Sequence, residues 1–230
     1  MNDPAGFDGF GGGAIDFFAE LAENQSRDWF VANRARFDEA IGVPMAQLVT
    51  SVSLALAGRD IPLQGTPKTS IFRMNRDIRF SKDKSPYKTH IGAVLTRSGA
   101  KQRSGGVLYI HVGLDGMFLA AGFYDPEPAE LGALRRAIMA SQAEWRAVTR
   151  ELAAHKLAVG MDSMMARLPQ GFDAGSVGKV GDWVRLKSFA VKRDLAPAEI
   201  TDAGLVTIVA DFASAAQPLL RFGWRALEVR

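Results

Sequence analysis

Positively charged side chains are concentrated between Lys68 and Arg103. This segment contains ten Lys or Arg residues against two acids, Asp77 and Asp83, so its formal charge is +8; the whole chain carries +3, which leaves −5 for the rest. Arginine offers a planar fork that binds phosphate or carboxylate at two points, and lysine adds a point charge. Uneven charge of this kind attracts anions to one part of a protein surface. The segment therefore predicts a binding site for a small anionic ligand.

The predicted ligand residues all belong to the stretch Phe72–Lys88. They are the polar side chains that could hold or orient an anion: Arg73, Arg76, Asp77, Arg79, Ser81, Asp83, Lys84, Tyr87 and Lys88. In this interpretation the cations bind the anion, Asp77 orients them, and Tyr87 supplies a hydroxyl and a ring. The alternative is that Arg76 pairs with Asp77 and Asp83 with Lys84, so that the charges fix a loop and need no ligand.

A β-hairpin is predicted over residues 107–124, with Asp115-Gly116 as its two-residue turn. The apolar residues of both strands then share one face, which must be core: Leu108, Ile110, Val112, Leu114, Met117, Leu119, Ala121 and Phe123. The other face carries Tyr109 and His111 opposite two small residues, which leaves a shallow depression. If the basic segment folds over this face, His111 could act as a general acid or base, so Tyr109 and His111 are secondary site candidates.

Two further basic stretches have weaker patterns. The alternation over Trp183–Val191 predicts a strand with Arg185 and Lys187 on one side, and Lys187 could extend a basic face. Alternating charges on an exposed strand need no function, however. The Gly- and Ser-rich loop from Arg97 to Gly106 is predicted to be a flexible connection, although its amides and cations could also surround an anion.

The sequence predicts no metal site and no cofactor. His90, His111 and His155 are the only histidines, no two of them lie four residues apart, and the chain has no cysteine. The glycines from Gly9 to Gly13 do not follow a strand, so they do not form a dinucleotide loop, and no nucleophile-elbow or Walker-type motif occurs.

Helical patterns precede any strand pattern. Apolar residues recur at helical spacing around Phe17, then after Ser26, which can cap a second helix, and again from Pro44, after Gly42 has ended the second helix. Strands follow, and helices return after Pro128. This order predicts an α+β fold with a largely antiparallel sheet, helices packed on it, and N-terminal helices first.

The ends and the composition predict one domain. Residues 1–13 carry five glycines, two aspartates and no cation, which predicts a flexible N-terminus without the features of a secretory signal. Residues 14–230 are predicted to form a single α+β domain. No apolar run approaches the roughly 20 residues that span a bilayer, so we expect no membrane partner and a cytoplasmic location.

Several blocks of the chain resemble a widespread microbial family catalogued as a domain of unknown function, family 2461. The matching residues are Phe17-Phe18, Leu21, Asn24, Arg27-Asp28-Trp29-Phe30, Asn33, Phe37, Phe72-Arg73, Arg76-Asp77, Arg79-Phe80-Ser81, Asp83-Lys84, Pro86-Tyr87-Lys88, Gly105-Gly106, Tyr109, Gly122, Leu168-Pro169, Gly171-Phe172 and Leu186-Lys187-Ser188-Phe189. The resemblance runs from about Ile15 nearly to the C-terminus. It implies a shared single-domain fold and carries no activity to this chain.

Three functions follow from these observations. The leading hypothesis is a domain that binds a small phosphate or carboxylate ligand, and the residues leave open whether it is an enzyme. The second is nucleic-acid binding by the basic segment, with Tyr87 and Phe80 interleaved among the cations. The third is a structural or interaction protein, in which an internal Arg/Asp network holds the fold together. The oligomeric state is left open.

Overall fold

A computed structural model describes residues 6–79, 81–101, 105–160 and 164–228 of the chain. Its helices are α1 Gly13–Glu23, α2 Arg27–Ala32, α3 Arg34–Phe37, α4 Val43–Ala57, α5 Pro67–Ser70, α6 Pro128–Ala140, α7 Gln142–Ala154, α8 Ala174–Val177, α9 Gly181–Val184, α10 Pro197–Ile200 and α11 Leu205–Glu228, with a π-helical turn at Asp38–Gly42 and a 3₁₀ turn at Gly178–Val180. Its strands are β1 His90–Thr96, β2 Val107–Gly113, β3 Gly116–Phe123 and β4 Phe189–Asp194.

The four strands form one antiparallel sheet in the order β1-β2-β3-β4, so each strand lies beside its neighbour in sequence. The helices α1 to α5 all precede the sheet. The predicted α+β class, with an antiparallel sheet and N-terminal helices first, is therefore confirmed.

The described residues fall into two compact units, each assembled from separate pieces of the chain. The first draws on Met1–Lys101, Tyr109–Leu119 and Asp194–Asp211, and the second on Gln102–Leu108, Ala120–Arg193 and Phe212–Arg230. One domain from residue 14 onward stays a prediction. Residues 1–5 of the N-terminus expected to be flexible lie outside the described residues, while Phe7 and Phe10 are buried and the Phe10 N–H donates to the Ile200 carbonyl at 2.7 Å.

The core of the first unit is built around aromatic rings. Phe17 of α1 contacts Phe30 and Phe37 at centroid distances of 6.4 and 5.7 Å, and all three rings are buried. Ser26 caps α2, as predicted, by accepting a hydrogen bond from the Trp29 N–H at 3.2 Å. The α4 helix adds a stripe of buried side chains at helical spacing: Met45, Leu48, Val49, Val52 and Leu56.

The predicted break between the second and third helices is wrong. Gly42 does not end a helix; instead the π-helical turn connects α3 to α4, and the Val43 N–H donates to the Asp38 carbonyl five residues back. Pro44 has no N–H to offer to the helical ladder, and the wider turn before it carries the chain past that gap. Pro218 lies inside α11, whose buried residues continue on both sides of it.

The predicted strand over Trp183–Val191 is correct only in its last part. Trp183 and Val184 belong to α9, and β4 begins at Phe189. A single helical turn also separates apolar from charged side chains, so alternation over a few residues does not distinguish the two structures. The helical turn is favoured here because Trp183 packs edge-on against Trp145 at 6.2 Å while Arg185 pairs with Asp182 at 2.6 Å.

Two helical stretches are long and apolar enough to cross a membrane by length and composition alone, namely Arg34–Ala57 and Leu205–Glu228. Each also buries many of its apolar side chains within the fold, among them Leu48 and Val52 in the first and Val209 and Leu219 in the second. Core helices of a folded protein share this composition.

A substitution at Gly122 would test how closely β3 approaches β4. Its φ is +132°, and a Cβ at this position would overlap the Phe189 carbonyl oxygen. Strain at such a φ costs about 1–3 kcal/mol for an L-residue, and the overlap adds to it. We expect Gly122→Ala to lower the free energy of unfolding by more than Gly116→Ala, measured by urea denaturation. Gly116 is a matched control because its φ is +130° and a Cβ added there would meet nothing within 4 Å; equal losses would contradict the close approach.

Candidate functional site

The basic segment is held against the edge of the sheet by main-chain pairing. Ile71 forms an antiparallel bridge with Ala93 of β1, and the Phe72 N–H donates to the Gly92 carbonyl at 2.9 Å. Further on, Asn75 bridges to Tyr87. The segment from Ile71 therefore forms a short hairpin that leads directly into β1, and this pairing brings Arg76 and Lys88 near His90, the first residue of that strand.

Tyr87 anchors the hairpin to the helices. Its ring is buried and stacks on Phe30 at a centroid distance of 4.4 Å and an angle of 18°. Its main-chain N–H donates to Gln25 Oε1 at 3.0 Å. Stacking of aromatic rings adds about 0.5–1.5 kcal/mol to their burial. The ring predicted to stack on a ligand or a base thus stacks on another part of the protein.

The loop of residues 77–85 is closed by its own charges. Asp77 binds Arg79 through both oxygens, at 2.9 and 2.7 Å, and Asp83 pairs with Arg76. The Lys84 ammonium donates to the Ile78 carbonyl at 2.9 Å. Internal pairing was one of the two interpretations of the sequence, but the partners differ from the sequence neighbours expected. Ser81 is half-buried in this loop, and Phe80 lies outside the described residues.

Hydrogen bonds within the loop favour ionised carboxylates. The pKa of Asp83 is lowered to about 2. The main causes are hydrogen bonds from the side chain and the N–H of Ser85, followed by the neighbouring Arg76. The bonds from Arg79 likewise lower the pKa of Asp77. Because the folded pKa of Asp83 lies below its ordinary value, its contribution to loop stability is complete above the ordinary value and is lost as the pH falls through about 2.

A second group of cations surrounds the ring of Phe72. The ammonium nitrogens of Lys88 and Lys101 lie 5.8 and 5.2 Å from the centroid of this ring, and Phe72 contacts Tyr109 of β2 edge-on at 6.1 Å. Lys88 also donates to the Arg73 carbonyl at 3.0 Å, and Lys101 donates to the carbonyl of Ile71. Cations over an aromatic face are attracted by its electron density, so the ring gathers two positive charges beside the sheet.

Two histidines and an aspartate meet at the end of the sheet next to these cations. His111 Nε2 lies 2.9 Å from Asp115 Oδ1, and His90 Nδ1 lies 3.4 Å from Asp115 Oδ2. The two imidazole rings are 4.4 Å apart. The Tyr109 hydroxyl is 3.1 Å from His111 Nδ1. A hydrogen-bonded chain therefore runs from Tyr109 through His111 to Asp115, and it can hold or move a proton.

Glycine and phenylalanine determine the position of His111. Gly92 leaves the space that the Tyr109 hydroxyl occupies, because a Cβ at residue 92 would overlap that oxygen. Phe118 of β3 stacks on the His111 ring at 4.5 Å and 12°. His111 is consequently buried between β-strand side chains, whereas the Asp115 side chain remains 57% exposed.

The surroundings of His90 favour its neutral form. Burial lowers the pKa of His90, and the neighbouring His111, Lys88 and Arg76 lower it further, while Asp115 opposes them. For Asp115, burial resists ionisation, but the hydrogen bond from His111 and the charges of both imidazoles outweigh it and lower the pKa. The surroundings thus favour the neutral form of His90 and the ionised form of Asp115.

The hairpin turn comes one residue earlier than the Asp115-Gly116 turn predicted. The β2 strand ends at Gly113 and β3 begins at Gly116, so Leu114 and Asp115 make the turn. The Leu114 N–H donates to the Thr89 carbonyl at 3.1 Å, which fixes the turn to the start of β1. His111 therefore faces Phe118, and the depression expected opposite Ala120 is filled by that ring. The core face is buried as predicted, except that Leu114 is exposed and Met117 half-buried.

Sequence reasoning missed four residues of this site: Phe72 as a platform, Lys101, His90 and Asp115. It sought metal or catalytic pairs within one element, whereas these residues come from a hairpin, a strand, a turn and a loop. One signal was present, since Asp115 follows His111 by four residues across the turn.

The remaining candidates have simple positions. Arg73 is exposed on the hairpin, and Lys187 is exposed in the second unit. Residues 102–104 of the loop predicted to be flexible lie outside the described residues. The second unit also contains a groove of about 420 Å³ between α7 and α11, lined by acidic and basic residues such as Glu144, Glu151 and Arg221. None of the residues predicted from the sequence lines this groove.

The fold and this cluster define an α+β protein with a basic hairpin paired to the edge of an antiparallel sheet. The model of one family, "Conserved hypothetical protein (DUF2461)", matches residues 13–222, and the chain belongs to this family. The resemblance noted in the sequence is thereby confirmed. Comparison with curated proteins and with solved structures gave no match.

The hydrogen bonds to Asp83 can be tested by NMR titration of its carboxyl group. We expect the Asp83 carboxyl to titrate with a midpoint near pH 2 in the intact protein and at a higher pH in Ser85→Ala, because Ser85 provides the largest stabilisation of the ionised form. Thr201→Ala, in a distant part of the sequence, serves as the control. An unchanged midpoint in Ser85→Ala would contradict the assigned cause.

Proposed function

We propose that the protein binds a small anion with phosphate or carboxylate groups beside the ring of Phe72. The observation that carries this proposal is the approach of two ammonium groups, from Lys88 and Lys101, to one aromatic ring next to Tyr109. Both lysines donate to main-chain carbonyls, and a lysine ammonium has three N–H donors. An anion beside the ring would accept charge-assisted hydrogen bonds from these ammonium groups.

The charge balance of the segment supports the same conclusion. Among the described residues from Lys68 to Lys101 there are nine cationic side chains and two acidic ones. Both acids are engaged within the loop, Asp77 by Arg79 and Asp83 by Arg76. Seven positive charges therefore remain in excess within the segment, and this excess raises the local concentration of anions.

The two interpretations of the basic segment apply to different parts of it. The ion pairs of the loop of residues 77–85 favour a structural role for Asp77, Arg79 and Asp83, because each of them pairs with an oppositely charged side chain. The cations beside the sheet are the ones we assign to the ligand. The nucleic-acid alternative loses one of its two stacking residues, since the Tyr87 ring is buried against Phe30.

The class of ligand follows from the neighbouring groups. A phosphate or carboxylate held by Lys88 would lie near His90, whose pKa responds to the charge of that lysine. The chain of Tyr109, His111 and Asp115 then stands ready to exchange a proton with the bound molecule. Phosphate esters and carboxylic acids are therefore the compounds to screen, first for binding and then for turnover.

Replacing the two lysines tests the proposal. We expect Lys88→Met and Lys101→Met each to weaken binding of inorganic phosphate or citrate by about tenfold to a hundredfold, the equivalent of a hydrogen bond to a charged group at about 1.5–3 kcal/mol. Calorimetry on metal-free protein, with amide chemical shifts to locate the ligand, provides the measurement. Methionine retains most of the length and the apolar stem of lysine, so folding should be preserved.

Lys82→Met is the matched control, because it removes the same charge from an exposed position in the same segment. It should change the affinity by less than about twofold, since salt screens an exposed charge that does not touch the ligand. Equal weakening by all three substitutions would overturn the proposal, since it would indicate diffuse attraction rather than a site. Binding of oligonucleotides with a steep dependence on salt, and no binding of small anions, would favour the nucleic-acid alternative instead.

A further inference from the structure

The side chains of His90, His111 and Asp115 offer three metal-ligand atoms that all lie within 4.8 Å of one another. We propose that they form a binding site for a divalent transition ion of the zinc type. This inference goes beyond anion binding, because it concerns different side chains and a ligand of the opposite charge. The residues come from the start of β1, the middle of β2 and the turn before β3.

The donor set determines the class of ion. Imidazole nitrogens suit zinc, copper, iron and nickel, whereas magnesium and calcium prefer oxygen ligands alone. Two imidazoles with one carboxylate also form a common three-ligand set for zinc and non-haem iron, and such a set leaves positions open for water or substrate. The chain has no cysteine, so no thiolate competes for the ion.

The geometry lies close to that of a coordinated ion. Each imidazole faces a different oxygen of the same carboxylate, His111 Nε2 at 2.9 Å and His90 Nδ1 at 3.4 Å. Ligand atoms about 2.0–2.2 Å from one zinc ion are separated by about 3.0–3.6 Å. The widest separation, up to 4.8 Å, therefore needs to close by about 1.2–1.8 Å, and rotation of the partly exposed His90 and Asp115 side chains would supply this.

The surrounding residues orient the central ligand as metal sites require. A histidine that binds a metal through one nitrogen usually gives its other N–H to a fixed acceptor, which holds the ring and sets the tautomer. Here the Tyr109 oxygen lies 3.1 Å from His111 Nδ1, and Phe118 stacks on the ring from β3. His111 is thus constrained on two sides while its Nε2 remains directed at the cluster.

The charges around the cluster and its exposure to solvent suit an ion that also binds a ligand from solution. Asp115 is the carboxylate of the set, and its side chain is 57% exposed, so the cluster is open to solvent on that side. Arg76, the cation that affects His90, is paired with Asp83, which reduces its repulsion of a dication. Lys88 opposes the ion, and an anion or hydroxide in an open position would offset that repulsion.

The hydrogen-bonded arrangement without metal has a different tautomer, and this difference makes the proposal testable. Without an ion, His111 Nε2 carries the proton and donates it to the Asp115 carboxylate, which only accepts. Nδ1 then accepts from the Tyr109 hydroxyl. With an ion on Nε2, the proton moves to Nδ1 and is donated to the Tyr109 oxygen. The two states differ in their ¹⁵N chemical shifts.

The experiment titrates the tag-free, full-length protein with Zn²⁺ and, as a visible probe, Co²⁺. We expect one equivalent to bind, with Mg²⁺ failing to compete, and the ¹⁵N spectrum of His111 to show transfer of its proton from Nε2 to Nδ1. Absence of stoichiometric binding, or a proton that stays on Nε2 in the zinc-loaded protein, would overturn the proposal.

Substitutions locate the site. We expect Tyr109→Phe to weaken Zn²⁺ binding by about tenfold, the effect of an outer partner. His90→Gln and Asp115→Asn, both at partly exposed positions, should each weaken it by more than Tyr109→Phe does. His155→Gln is the matched control, because it removes the remaining histidine of the chain. Equal loss in His155→Gln, or full affinity in Asp115→Asn, would contradict the site. Thermal unfolding of each variant checks that it is folded.

The metal site and the anion site can be tested independently of each other. Zn²⁺ titration of Lys88→Met tests the metal site in a protein whose proposed anion site is impaired, and we expect the same stoichiometry. Phosphate titration of metal-free Asp115→Asn tests the anion site without the metal ligand, and we expect binding to persist. Loss of Zn²⁺ stoichiometry in Lys88→Met would overturn the separation of the two sites.

Discussion

The arrangement of the candidate site depends on the main-chain pairing of residues 71–75 with β1 on one side and with Tyr87 on the other. These hydrogen bonds carry a highly charged stretch along the edge of the sheet. An unpaired sheet edge exposes its N–H and C=O groups, and here the Phe72 N–H of the basic hairpin satisfies the Gly92 carbonyl of β1. The buried stack of Tyr87 on Phe30 fixes the hairpin from behind. Cations that would otherwise be solvated along a loop are thereby held near the imidazoles of the sheet.

This arrangement separates the cations into two groups with different roles. In the loop of residues 77–85, each acid has an arginine partner, and the exposed pairs neutralise each other. Exposed pairs of this type contribute little to stability, so their main effect is to define the shape of the loop. Beside Phe72, Lys88 and Lys101 donate to main-chain carbonyls. These two ammonium groups place positive charge beside the ring that contacts Tyr109.

Local patterns predicted much of the fold, and the failures have identifiable physical causes. Helical spacing located α1, α2 and α4, and the serine cap of α2 was predicted from one residue. The hairpin faces were also predictable, because alternation fixes which side chains point to the core. The turn at Leu114 and Asp115 was not, since Leu114 donates a hydrogen bond to Thr89, the residue before β1. Similarly, the pairing of Arg76 with Asp83 depends on how the loop folds back. The contribution of His90 was beyond single-element patterns, because it approaches His111 only once β1 and β2 are paired.

Gly92 shows how a residue without a side chain can govern the chemistry of its neighbours. The phenol of Tyr109 lies against β1 and fills the volume that a side chain at residue 92 would need. The absence of a side chain at Gly92 therefore allows the hydroxyl to reach His111. This contact in turn determines which ring nitrogen of His111 holds the proton. A larger side chain at this one backbone position would displace the phenol and so disturb its hydrogen bond with His111, without replacing any ionisable group.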